Sequence, residues 1–481
     1  MAGDTPITEL DACGLSAAIH RRELSCREVM AAALARIDAL NPAVNAIVAR
    51  LPADVLRQQA DERDAMLARG RSLGWMHGFP MAIKDISSVA GVPTTMGSPL
   101  LARNVPKHDS AMVARMKAAG GIVIGRSNVP EFGLGSHTCN PVYGSTRNAW
   151  DPARSAGGSS GGAAVSLALR LQPVADGSDM MGSLRNPAGW GNVWGLRPSF
   201  GRVPYDPVAG DGFVAQLGTE GPMARTVRDL AMLLAVQAGR HDGQPLSIAA
   251  DGRAFAEPLR PEARGLRIGW LGDLDGYLAV EPGIVPGCEA ALRRFESLGA
   301  RVEPIALGYP ADEVWQTWLT WRRFLVAGSI GPLGANPESY ARLKPEAQWE
   351  FDQGQGLTGP QVYAASVART RFYRHLLTLF DRFDLLALPT AQVWPFPAEW
   401  HWPREIAGRP MDTYHRWMEV TIYATLAGLP AISAPAGFDD RGLPLGLQLI
   451  GRPQADRALL DAAAAYEQTI GELLARRPAL G

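Results

Sequence analysis

SAGGSSGGAAVSLALRLQPVADGSDMMGSLRNPAGWGNVWGLRPSFGR, residues 155–202, holds ten glycines and two glycine-flanked serine sites, Ser159/Ser160 and Ser183. A helix-like apolar run, 163–171, lies between the two sites. Glycine is entropically costly and concentrates where backbone must approach another group closely or take positive φ. Two glycine-rich turns, each presenting a serine and joined by a short apolar segment, predict a reaction site lined by backbone.

Outward from this stretch, strand-like and helix-like patterns alternate. Amphipathic spacing predicts helices over 8–22, 25–40, 52–69, 109–119, 226–239, 288–298 and 456–474. Ser25 and Glu28 form a capping-box pattern opening the second, and Asn41-Pro42 is expected to close it. Apolar runs predict strands around Lys84 and over 122–129, 265–272, 300–307, 384–390, 426–438 and 444–452. The alternation predicts an α/β fold: a large, twisted, mixed but mostly parallel β-sheet flanked by helices. The chain is expected to form a single domain, with N-terminal helices in 1–70, a catalytic core in 71–240 and a variable, substrate-lining region in 310–420. That last region holds eight of the thirteen tryptophans, with Trp315, Trp318 and Trp321 at helical spacing. Core packing is the ordinary reading of such a stripe. The alternative is a lining for an apolar or aromatic substrate group.

The 481 residues are 47% hydrophobic with a formal net charge of −1, which argues against nucleic acid or a membrane surface as partner. No apolar run reaches the ~18 residues of a membrane span, and no signal-peptide pattern opens the chain. The four cysteines, Cys13, Cys26, Cys139 and Cys288, have neither zinc-site nor disulfide spacing. Free thiols and a cytoplasmic location are expected.

Several catalytic templates are absent: GxxxxGK[ST], HExxH, CxxC, a strand-linked GxGxxG, and the GxSxG elbow of Ser-His-Asp hydrolases. The lysines are more informative. Of 47 basic residues only Lys84, Lys107, Lys117 and Lys344 are lysine. Arg stays protonated at useful pH, whereas a desolvated Lys does not. Lys107, Lys117 and Lys344 read as surface residues. Lys84 lies in the apolar run GFPMAIKDIS. A lysine snorkelling to the surface is the bland alternative there. As a base it would need its pKa lowered from ~10.4 to ~7–8, about 4 kcal/mol. Desolvation beneath a glycine-rich loop is of the right size. The residues therefore allow Lys84 as base, one serine as nucleophile and the other as relay, with turn N–H groups before Ser183 as an oxyanion hole.

GGSSGG, GSDMMGSLRNPA and GLRPSFGRVP, together with GFPMAIKD, GRSNVPEFG, NPVYGSTRNAWD, GLPAISAPAGF and LPLGLQLIG, resemble the amidase signature family over roughly residues 8–475. The resemblance implies a Ser–cis-Ser–Lys triad: Ser183 as nucleophile, Ser159 as relay after a cis peptide bond, and Lys84 as base. It implies an oxyanion hole from the backbone N–H groups of Met180, Met181, Gly182 and Ser183, supported by Ser160, Asp179 and Arg185. It implies no metal and no cofactor. Phe132 and Gly133 are expected to line the substrate, with Trp315 and Trp318. One departure stands out: the family usually has Gly-Gly before the nucleophile, and this chain has Met181-Gly182 preceded by Met180. Flexible, polarizable methionines there favour apolar or aromatic groups.

The expected function is a serine hydrolase of the aryl acylamidase or urethanase type. It would cleave neutral, bulky or aromatic small-molecule amides, with carbamates and esters passing through the same chemistry, as a monomer or homodimer. One alternative is the glutaminase subunit of a tRNA-dependent amidotransferase. Another is an inactive binding protein with the same fold.

Overall fold

The computed structural model describes residues 6–205 and 210–480. Residues 1–5 of the expected N-terminal region and 206–209 of the expected catalytic core lie outside them.

Helices α1 (Ala12–His20), α2 (Cys26–Val44) and α3 (Ala53–Ala68) come first. Ser25 and Glu28 make the capping box that opens α2. Asn41-Pro42 does not close α2, which runs on to Val44. The buried Asn41 side chain accounts for this: its Oδ1 accepts the N–H groups of Ala46 and Ile47, and its Nδ2 donates to Ile47 O at 2.8 Å. These bonds pin the chain just beyond the helix, and Asn45 ends it at φ 53°.

A small sheet follows, built from β1 (Ile47–Val48), β2 (Pro80–Lys84) and β3 (Ile122–Ser127), with β3 in the centre. Helix α4 (Ala111–Ala118) connects β2 to β3, which run parallel. Helix α5 (Gly161–Ala168) leads into the main sheet. Its strands are β4 (Val174–Asp179), β5 (Trp194–Arg197), β6 (Thr219–Ala224), β7 (Arg267–Trp270), β8 (Arg301–Pro304), β9 (Leu385–Pro389), β10 (Ala431–Phe438) and β11 (Pro444–Gly451). The short helix α6 (Asn186–Gly191) lies between β4 and β5 in the chain. The strand order in this eight-stranded sheet is β8-β7-β9-β11-β10-β5-β6-β4.

The sheet is mixed, as expected, but parallel pairing is confined to one end. The pairs β8–β7 and β7–β9 are parallel, while the five pairs from β9–β11 across to β6–β4 are antiparallel. The expected mostly parallel pairing is corrected to this extent. For β10 and β11 the reason is connection length. Strands β10 and β11 are joined by the short turn 439–443, and a parallel pair needs a crossover of a dozen or more residues.

The main sheet buries both faces. Along β9, Leu385 and Ala387 enter one apolar cluster, with Ile432, Leu447 and Leu449. Leu386 and Leu388 enter another, with Trp315, Trp318 and Trp417. Alternate strand residues point to opposite faces, so one strand feeds two cores. The first cluster packs under α1, α2, α7 (Val227–Gln237), α8 (Ile284–Ser297) and the helix Asp456–Glu467. The second packs under α9 (Ala311–Gly334) and α11 (Gly359–Arg382), with α10 (Pro345–Gln355) against α9. The two sheets meet at the edge strand β4: the main-chain N–H of Lys84 on β2 donates to the Asp176 carboxylate on β4 at 3.1 Å. No helix of the described residues is long and apolar enough to cross a membrane.

Candidate active site

Lys84 is the last residue of β2, a strand buried at every position. Its Nζ lies 2.9 Å from Ser159 Oγ, 2.8 Å from Ser160 Oγ and 2.9 Å from Ser178 Oγ. The amine is fully buried. Burial pushes it down to about 7, against the opposing charges of Asp176, Asp179 and Glu220. Asp176, also fully buried, is itself pushed up to about 6 by burial, moderated by the Lys84 N–H and Arg126. The sequence expectation of a desolvated lysine beneath a glycine-rich loop thus has its geometry.

The Gly158–Ser159 peptide is cis. Its loop is held from both sides: Gly158 N–H donates to Asn186 Oδ1 at 3.2 Å, and Ser160 N–H donates to the Ser183 carbonyl at 3.3 Å. The second of these bonds ties the two glycine-flanked serine sites together. Ser160, expected only as a support, touches the Lys84 amine directly.

Asp179, at the end of β4, organises the turn that carries Ser183. Its carboxylate accepts the N–H of Gly182 at 3.0 Å and of Leu184 at 3.1 Å. It also receives Arg185 through Nε at 2.9 Å and Nη2 at 2.8 Å. Arg197 Nη1 donates to the Asp179 carbonyl. All three charged side chains are fully buried. Burial by itself would raise the Asp179 carboxyl, but Arg185 and Arg197 outweigh it and hold the group well below the usual carboxylate range. This arrangement corrects one expectation. Gly182 takes φ 83°, which turns its N–H back onto Asp179, so that donor is already spent. Among the described residues the N–H groups of Met180, Met181 and Ser183 have no protein acceptor. A Cβ at Gly182 would also meet Thr421 Cγ2 at 2.6 Å. Asp179→Ala leaves two buried guanidinium groups uncompensated, and a loss of about 3–5 kcal/mol in chemical denaturation is expected. A loss below about 1 kcal/mol would contradict this electrostatic account.

The expected substrate-lining residues divide. Gly133, at φ 69°, comes close enough to Ser159 that a Cβ there would stand 3.6 Å from Ser159 Oγ. Phe132 and Met180 are half-buried and pack against one apolar cluster formed by Leu134, Val326, Ile330, Leu343 and Ala347. Trp315 and Trp318 are placed otherwise. Both are 0% exposed and belong to the core beneath α9. Trp315 packs on His415 and lies under the Arg416 guanidinium. The helical stripe is therefore core packing, because the face of α9 that carries it turns toward the sheet. Val326 and Ile330, further along the same helix, are buried as well, in the separate apolar cluster against which Phe132 and Met180 pack.

Ser178 and Asp176, both hydrogen-bonded to Lys84, are absent from the sequence expectation, and two residues farther out escaped it as well. Lys344, read as surface, donates from Nζ to the Leu134 carbonyl at 2.6 Å and so fastens α10 to the loop bearing Phe132 and Gly133. Arg322 is 2% exposed, and its Nη1 lies 3.7 Å from Met180 Sδ. Neither belongs to a motif. The scarcity of lysine in the chain was a signal for the first, and nothing local singled out the second.

A buried amine set among serine hydroxyls, beside a turn with unpaired N–H groups, goes with a serine hydrolase. The chain belongs to the Amidase family, which it matches over residues 28–460, and it is an amidase. It is 33% identical over 474 residues to an acylamidase of Rhodococcus erythropolis, covering 95% of each chain. It is 36% identical over 504 residues to the A subunit of glutamyl-tRNA(Gln) amidotransferase from Moorella thermoacetica, covering 98% of this chain and 99% of that one. Among solved structures, a bacterial aryl acylamidase of the amidase signature family superposes with a TM-score of 0.90 at 30% identity, covering 98% of this chain and 100% of the other.

Proposed function

We propose that this chain hydrolyses neutral, bulky or aromatic amides through an acyl-enzyme on Ser183. The observation that carries the reading is the buried Lys84 amine within hydrogen-bonding distance of Ser159, in a loop tied to the Ser183 turn. Neutral Lys84 takes the proton of Ser159 Oγ as Ser159 takes that of Ser183 Oγ. Ser183 attacks the carbonyl carbon, and the N–H groups of Met180, Met181 and Ser183 hold the oxyanion. The proton returns through Ser159 to the leaving nitrogen, which departs as the neutral amine. Water then attacks the ester and gives its proton to the same relay, releasing the acid and restoring Ser183. Each step uses a side chain and its proton, with no cofactor.

The apolar cluster behind Phe132 and Met180 supports a neutral, bulky substrate. Aryl carbamates and esters share the tetrahedral intermediate and extend the reading. The four unpaired cysteines support action in a reducing, cytoplasmic compartment.

The similarity to the amidotransferase protein keeps a glutaminase reading in view. Free glutamine would need partners for both its ammonium and its carboxylate; the cation beside Met180, Arg322, is already paired with Glu350, and the rest of the cluster there is apolar. A hydrolysis panel of aryl amides, aryl carbamates, short aliphatic amides and glutamine separates the two. Aryl amides are expected to exceed glutamine in kcat/KM by at least about 100-fold. Preference for glutamine would overturn the reading.

A further inference from the structure

We infer that Arg322 forms a substrate subsite beyond Met180, donating a hydrogen bond to a neutral acceptor oxygen on the amide. The inference rests on the amidase reading above and narrows it to substrates that carry a second carbonyl or comparable oxygen away from the scissile bond.

The Arg322 guanidinium is held rigidly. Nε donates to Glu350 Oε1 at 2.6 Å and Nη2 donates to Tyr414 Oη at 2.7 Å. Tyr414 Oη donates in turn to Glu350 Oε1 at 2.7 Å, closing a triangle. The guanidinium carbon also sits 5.8 Å from the Trp318 ring centroid and 5.7 Å from that of Tyr414. Two of its three nitrogens are thereby well satisfied. The third, Nη1, faces the Met180 thioether at 3.7 Å. A thioether is a weak acceptor, so this is a poor partner for a buried cationic donor.

Met180 is the residue through which that donor communicates with the reaction centre. It stands three positions before Ser183, and its main chain belongs to the turn assigned above to the oxyanion. Its side chain is half-buried and packs on both apolar clusters that meet there. A methionine has three side-chain rotors and changes shape at little cost. It can swing aside while its main chain stays in place, and a substrate oxygen that replaces the sulfur gives Nη1 a better acceptor. The charge balance selects the kind of oxygen. Glu350 already neutralises Arg322, so a carboxylate would bring a second anion beside a buried one. A neutral carbonyl brings none.

The triangle could serve only to fasten α10 and Tyr414 to α9, so the readout must be a substrate ratio. Two matched pairs probe the two sides of the scissile bond. N-acetylglycyl and valeryl p-nitroanilide differ on the acyl side, and 4-acetamidoacetanilide and 4-methylacetanilide on the amine side. Wild-type protein is expected to favour the acceptor-bearing member of at least one pair by about 10-fold or more in kcat/KM. Succinyl p-nitroanilide, which offers a carboxylate, is expected to fall below the N-acetylglycyl compound. Arg322→Lys keeps a charge beside Glu350 and removes the nitrogen that faces Met180. The paired variant Arg322→Met/Glu350→Gln removes both charges together and guards against misfolding from an unpaired ion. In either folded variant the ratio is expected to drop to about threefold or less. Hydrolysis without preference in wild type, a ratio unchanged in both variants, or a preference for the succinyl compound overturns the subsite while leaving the amidase reading standing. If none of the anilides is hydrolysed, both fall.

Discussion

Lys84→Ala lowers kcat/KM for amides by about 10³-fold or more while the protein stays folded, because it removes the group that starts the proton relay. Retention of near wild-type turnover would exclude the relay. The pH profile of the wild-type enzyme checks the same assignment without mutation. Burial brings the Lys84 amine down to about 7. Below that pH it carries a proton and cannot accept another, so kcat/KM rises about tenfold per pH unit on the acid side. Above it the amine is neutral and the profile levels off. Asp176, pushed up to about 6, accepts the Lys84 main-chain N–H and loses its charge within the acid limb. Its charge is among those that hold the Lys84 proton in place, so its loss lets the amine stay neutral further into acid and flattens the limb. A profile flat from pH 5 to pH 9 would speak against Lys84 as the base.

Ser183→Ala is expected to lower amide turnover on the order of 10⁴-fold or more, with no change in fold, since the nucleophile itself is lost. Ser159→Ala keeps the nucleophile and breaks the connection to Lys84, so its loss should be large but smaller for activated esters than for amides. An ester leaving group departs without the proton that an amine needs. A fluorophosphonate probe separates the two serines directly. The adduct belongs on Ser183 and disappears in Ser183→Ala. A folded wild-type protein that forms no adduct would favour the inactive binding protein over the hydrolase.

Much of this site was legible from residue types and spacing. The glycine-serine stretch, Lys84 as one of four lysines, and the paired strands 431–438 and 444–451 all carry local signals. A turn needs glycine, a buried strand needs an apolar run, and a lysine retained in an arginine-rich chain needs a reason. Pairing direction was not legible, because periodicity along a strand is blind to which neighbour it meets. The same blindness misplaced Trp315 and Trp318. Helical spacing shows that residues share a face, and only the packing of α9 on the sheet shows which way that face turns.

By itself, then, the sequence determined the fold family and named the two serines and the lysine, because each sits in a motif whose residues are neighbours in the chain. Tertiary structure decided which backbone donors remain free. Gly182 spends its N–H on Asp179 because Arg185 and Arg197 keep that carboxylate ionised and buried beneath the turn. It also decided what stands behind the serine turn. Arg322, Glu350 and Tyr414 come from three separate segments and meet behind Met180 only when α9 and α10 pack together. Contacts between distant segments follow from the burial of whole faces, and no local pattern encodes them.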